Sequence, residues 1–196
     1  MSESRLLALP NEILIDIISL TRPDGFNNFS LCCKQVFNLA SAVGLIEEHN
    51  QLRRTYNTCI DMHPVEMLAV IRCNALAARY VQEANFGSYA NLHAQGRVAQ
   101  DRLQRAVMLL REGRSLMRML EQSPYLQDAE QDVILWHDKI LNWPTSATFP
   151  DNRYGTIFLM TLLSNVKTMR LPNRWGTRKY GCTAPRTHGL LNQPQR

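Results

Sequence analysis

Five histidines and five cysteines carry most of the nucleophilic and metal-binding chemistry open to this chain: His49, His63, His93, His137 and His188, with Cys32, Cys33, Cys59, Cys73 and Cys182. Cys59 and His63 have a spacing that can chelate, but no second pair lies nearby and no C-x-x-C occurs. Neither a metal site nor a disulfide framework is therefore expected. His137 beside Asp138 has the composition of a base and its orienter. Adjacent helical positions point in different directions, however, so the two would not hydrogen-bond as that role requires. No histidine flanks a Ser or Cys in a recognised nucleophile pattern, and the sequence contains neither a G-x-x-x-x-G-K nor a G-x-G-x-x-G phosphate loop. No catalytic residue, metal ligand or cofactor is assigned, and an enzyme is not expected.

The apolar residues say more, and they prescribe the elements. Leu9-Pro10-Asn11-Glu12-Ile13-Leu14-Ile15-Asp16-Ile17-Ile18 reads as the start of a helix. Proline favours the first turn because its missing N–H would be unpaired there, and Glu12 lies where the helix dipole favours negative charge. At 100° per residue, Leu9, Ile13 and Leu20 fall on one edge of an apolar arc, Ile17 in its middle, and Leu7, Leu14 and Ile18 on the other edge. The arc spans about half the circumference, wider than the ~100° stripe that rests on one neighbour. Such a helix wants two. Pro23-Asp24-Gly25 supplies turn chemistry, and a second helix carries Phe29, Cys32, Cys33, Val36, Phe37 and Ala40. A segment of ~40 residues cannot bury all of this internally.

These residue types, Leu-Pro-x-Glu-Ile-Leu-x-x-Ile, then a turn, then Leu31-Cys32-Cys33-Lys34 and a closing Leu39-Ala40, resemble an F-box over residues 6–42. The pattern departs from the family at Gly25-Phe26-Asn27, often Asp-Leu-Leu, and at Val36, often aromatic. The resemblance implies a three-helix module that binds the Skp-family linker and, through it, a cullin. It also implies the residues of that contact: Leu9, Pro10, Ile13, Leu14, Ile17, Leu31, Cys33 and Val36, with Lys34 at the edge. The function implied is that of a substrate-recognition adaptor in an SCF-type ubiquitin ligase, acting by proximity rather than by chemistry of its own.

The rest of the chain is expected to be mostly helical. The F-box that the resemblance implies is expected over 1–45, and 46–62 reads as a polar connecting helix that exposes Glu47, Glu48, Arg53 and Arg54. From 63 to 175 the pattern predicts a helix-rich, target-binding region. A proline-led helix at His63-Pro64 runs toward Ala-Arg-Tyr-Val, resembling the segment after the F-box in fungal-type F-box proteins. Val81, Ala84 and Phe86 share their spacing with Val166, Met169 and Leu171, each set behind a helix, as in the strand core of a leucine-rich repeat. Two such units do not make a solenoid, so irregular repeats are expected, or the first pieces of a longer array. Between them, 97–121 reads as one helix interrupted at Gly113, followed by a second starting near Gln127 that buries Val133, Trp136, Ile140 and Trp143.

Charge is unevenly placed. Up to Asp151 there are 14 Lys or Arg against 17 Asp or Glu, and after it eight against none, within a net charge of +5. Residues 176–196 read as a disordered basic tail. Proteins of the resembled type continue beyond the segment Leu171 to Trp175, so a shortened product is an expectation. Arg97, Arg102, Arg105, Arg111, Arg114 and Arg118 crowd the first insertion helix. They give the alternative reading, a protein that binds nucleic acid or an acidic partner. That reading is the less favoured, because no aromatic platforms interleave the basic residues. No apolar stretch approaches the ~18 residues of a membrane span and no signal-peptide core follows Met1, so the expected location is cytoplasm or nucleus, with no membrane partner.

Overall fold

The computed structural model describes residues 5–57, 59–87, 96–142 and 153–171. The segment 176–196 lies outside them, as do Trp143, His93, Cys182 and His188. The chain is mostly α, with three short strands. After a tight turn of helix at Arg5–Ala8 come α1 (Asn11–Leu20), α2 (Phe26–Ser30), α3 (Lys34–Ala42) and α4 (Leu45–Tyr56). Pro10 caps α1 in the extended conformation, Glu12 sits in the first turn, and the Thr21 hydroxyl donates to the Ile18 carbonyl at 2.7 Å where the helix ends.

The second helix expected from the sequence is two. Cys33 is extended, with φ −157° and ψ 160°, and separates α2 from α3. Gly44, with φ 74°, takes the left-handed turn between α3 and α4 that most side chains resist.

The connecting helix differs from its sequence reading in extent and character. It ends at Tyr56, and Cys59–Ile60 form strand β1 instead of continuing it. It also has a buried face: Leu45, His49 and Leu52, at i, i+4 and i+7, are all buried. Leu45 and Ile46 pack into the N-terminal core around Ile18, Phe26, Val36 and Ala40. Leu52 and Tyr56 pack into the second, larger core. One helix thus belongs to both.

Beyond β1, α5 (Pro64–Cys73) and α6 (Ala77–Tyr80) lead to β2 (Glu83–Asn85). The first turn of α5 is closed by a capping box: Val65 N–H donates to His63 Nδ1 at 3.1 Å and His63 N–H donates to Glu66 at 3.1 Å. The insertion follows as α7 (Gly96–Arg111), a tight turn at Glu112–Arg114, α8 (Ser115–Glu121), α9 (Pro124–Asp128) and α10 (Val133–Leu141). The break after Arg111 is sharper than a weak point in one helix, since Gly113 and Arg114 both have positive φ, 59° and 56°. Asp132 is not inside the next helix but caps α10, accepting from Ile134 and Leu135 at 2.9 and 3.1 Å. Last come α11 (Arg153–Leu162) and β3 (Thr168–Arg170).

The strands form one parallel sheet in the order β1-β2-β3. Ala84 pairs with Met169, the same alignment that the two repeat-like spacings suggest, and Ile60 pairs with Ala84. That register adds β1 as a third parallel strand. Its sequence counterpart of Val81 is the polar Asn57, which hides it from an apolar spacing. Side chains alternate across a strand, so Ile60, Ala84 and Met169 face the helices while Cys59, Glu83, Thr168 and Arg170 face outward. Helix α5 lies at the centre, packed between α7 and α11 and buried at Val65, Met67, Leu68, Ala69 and Ile71. The insertion is part of the same core through Ala106, Leu110, Leu116, Leu120, Trp136 and Ile140.

Candidate linker-binding surface

The arc on α1 divides along its length as its width requires. Its inner edge, Leu14 and Ile18, is 0% exposed, and Ile15 is half-buried. The outer edge is not covered: Leu9 and Ile13 are exposed and Leu20 is 72% exposed, with Ile17 between the two regimes. Helical spacing sets Ile13, Ile17 and Leu20 in one stripe, because i, i+4 and i+7 share a face. Both neighbours that the module supplies to α1, α2 and α3, pack on its inner side, which leaves the outer edge open. At the junction of α2 and α3, Leu31 is 71% exposed, Cys33 is half-buried and Lys34 is exposed, and Phe37 on α3 is exposed as well.

Of the residues singled out by sequence, Leu9, Pro10, Ile13, Leu31 and Lys34 stand at the surface, and Ile17 and Cys33 reach it in part. Leu14 and Val36 do not. Both are fully buried, and Val36 fills the space among Ile18, Phe26, Ala40 and Leu45, so they hold the module together and offer no contact surface. Leu20 and Phe37 were not among the site residues although both are exposed apolar groups. Leu20 was findable, since it shares the Leu9 and Ile13 edge of the arc.

The module that carries this surface is joined to the remainder of the molecule through α4. His49 of α4 stacks on Phe26 with ring centroids 4.4 Å apart and meets Tyr80 of α6 edge-on at 5.4 Å. Its Nδ1 shares a 2.7 Å hydrogen bond with the Tyr80 hydroxyl, while Nε2 is buried without a partner among the described residues. Burial lowers the His49 pKa and raises that of the Tyr80 hydroxyl, so both groups are neutral near pH 7. Beside them Arg22, 6% exposed along its side chain, pairs with Glu48 at 2.5 Å. This ion pair ties the turn that follows α1 to α4.

Elsewhere, Cys59 and His63 differ in their surroundings. Cys59 is exposed on β1 while His63 is buried as the cap of α5. Among the described residues no group of three or more His, Cys, Asp or Glu is arranged to hold a metal ion, and no helix is long and apolar enough to cross a membrane. The six arginines do not crowd one face. The break at Gly113 places Arg114 and Arg118 beyond α7, Arg102 reaches Glu66 at 3.8 Å, and Arg111 donates to Asn142 at 2.9 Å. No family model, curated protein or solved structure matches the chain.

Proposed function

We propose that the chain is a substrate-recognition adaptor of an SCF-type ubiquitin ligase, docking the Skp-family linker through α1 to α3 and a target protein through the helix-rich remainder. One observation carries the reading. The outer edge of α1, with Leu9, Ile13, Ile17 and Leu20, stays uncovered on a module whose inner edge is fully packed. Burying a Leu or Ile is worth about 1.5 to 3 kcal/mol, so a partner helix laid along this edge gains enough to bind stably. The F-box-like sequence pattern supports the linker as that partner. The two-core role of α4 supports the same reading, because an adaptor acts by holding its target at a fixed distance from the ligase.

The test is co-purification of the full chain with the Skp-family linker and cullin, repeated in the presence of total RNA. Capture that RNA leaves unchanged is expected. Failure to capture the linker, together with salt-sensitive retention of RNA, would favour the arginine-based alternative.

A further inference from the structure

We propose that the cleft between α5, α8, α9 and α11 docks a short peptide in which an acidic side chain stands beside a large apolar one. The cleft measures about 620 Å³ and is lined by residues of these four helices and the turns that end them, none of them from the sheet. That volume falls within the ~300 to 1,000 Å³ of sites that hold ligands and peptide anchors.

Its chemistry selects the occupant. Ile71, Met119, Tyr125 and Leu162 make an apolar lining, and the charged residues among them are Arg72 and Arg118, with no carboxylate. Arg118 is exposed and makes no ion pair among the described residues. Arg72 meets Glu112 only at 3.9 Å, through a glutamate side chain that is 66% exposed. So long and solvated a pair contributes little, and a peptide carboxylate brought in by an apolar anchor displaces it. A basic peptide would meet an unpaired Arg118 and an Arg72 opposed only by that long, solvated pair, and a wholly apolar one would leave the Arg118 guanidinium unpaired as water is expelled. The apolar anchor supplies affinity and the arginines supply orientation and selectivity.

This cleft deepens the adaptor reading, on which it rests only in naming the peptide as part of a target. The peptide binding itself does not require the linker. The experiment pans random short peptides displayed on phage against the full chain at near-physiological salt. The enriched peptides are then titrated by fluorescence anisotropy against the parent protein, Arg118→Glu and Arg97→Glu. Arg97 lies on α7 outside the cleft, so the second variant repeats the charge change without touching the site.

The expected result is enrichment of peptides with Asp or Glu close to an aromatic or long aliphatic residue. Their affinity should fall roughly tenfold or more in Arg118→Glu and stay within about twofold in Arg97→Glu. No enrichment, enriched peptides without an acid, or equal losses in both variants would overturn the proposal. So would a dimer of the chain, or bound RNA, that Arg118→Glu alone disrupts. Linker capture by the same preparations separates the two readings. Acidic peptides without linker capture would overturn the adaptor and leave the cleft standing, and the reverse would overturn only the cleft.

Discussion

His63 accepts the Val65 N–H through Nδ1 while its ring is 1% exposed, and burial pushes its pKa down to about 3. The folded state therefore favours the neutral ring, whereas an unfolded chain protonates near pH 6.5. The stability this confers is fully present above about pH 6.5 and is lost as the pH falls from there toward 3, at about 1.4 kcal/mol per pH unit. Denaturant titrations at pH 7.5 and pH 5 should differ by about 2 kcal/mol from this group alone, with a further loss in the same direction from His49. His63→Asn keeps a cap acceptor without a titrating ring, and should remove most of the His63 share of that difference. An unchanged pH slope in the variant would contradict the assignment. At the junction, Tyr80→Phe removes the partner of His49 Nδ1 and leaves that buried nitrogen unpaired as well as Nε2, at a cost of about 1 to 3 kcal/mol. His49→Phe with Tyr80→Phe should then cost less than the two single changes added together, as measured in a double-mutant cycle. Simple additivity would show that the bond does not couple the modules.

At the scale of elements, the two edges of α1 should respond in opposite ways. Leu14→Ala deletes a fully buried side chain and should cost about 2 to 5 kcal/mol of stability, whereas Ile13→Glu on the exposed edge should leave the denaturation midpoint nearly unchanged. A large loss of stability in Ile13→Glu would mean that the outer edge is covered after all. Much of this element was readable in the sequence. A period of 3.6 over Leu7 to Leu20 defines the arc, and its width alone asks for a second neighbour. Which edge meets the chain and which stays open is decided by tertiary packing, so Leu14 and Val36 read as surface when they are core. Helix α4 misled for a related reason. Its buried face includes His49, which scores as polar in any periodic pattern, and only the pairing with Phe26 and Tyr80 makes burial favourable. The strands were legible where Val81, Ala84 and Phe86 repeat as Val166, Met169 and Leu171. Strand β1 was not, because two paired residues leave no period to detect.

At the scale of the whole molecule, α4 makes two cores into one mechanical unit: Leu45 and Ile46 anchor it in the first, and Leu52 and Tyr56 in the second. Hydrogen exchange should therefore show the amides of α1 and α3 opening with the same free energy as those of α5, in one cooperative transition. An N-terminal module that opens several kcal/mol more easily would mean that α4 does not couple them. The shared core also means that the insertion α7 to α10 cannot be removed to test its function, since Leu110, Leu116, Leu120 and Trp136 would leave a void around α5. Surface substitutions are the proper probe. The central claim, that the uncovered edge of α1 and Leu31 dock the Skp-family linker, is tested most directly by calorimetric titration of the linker into the full chain and into Ile13→Glu with Leu31→Glu. The account predicts saturable binding to the parent and a loss of about two orders of magnitude or more in the variant, consistent with about 3 kcal/mol or more of apolar burial removed, with no change in helical content. Equal affinity for both proteins, or no heat of binding to either, would contradict it.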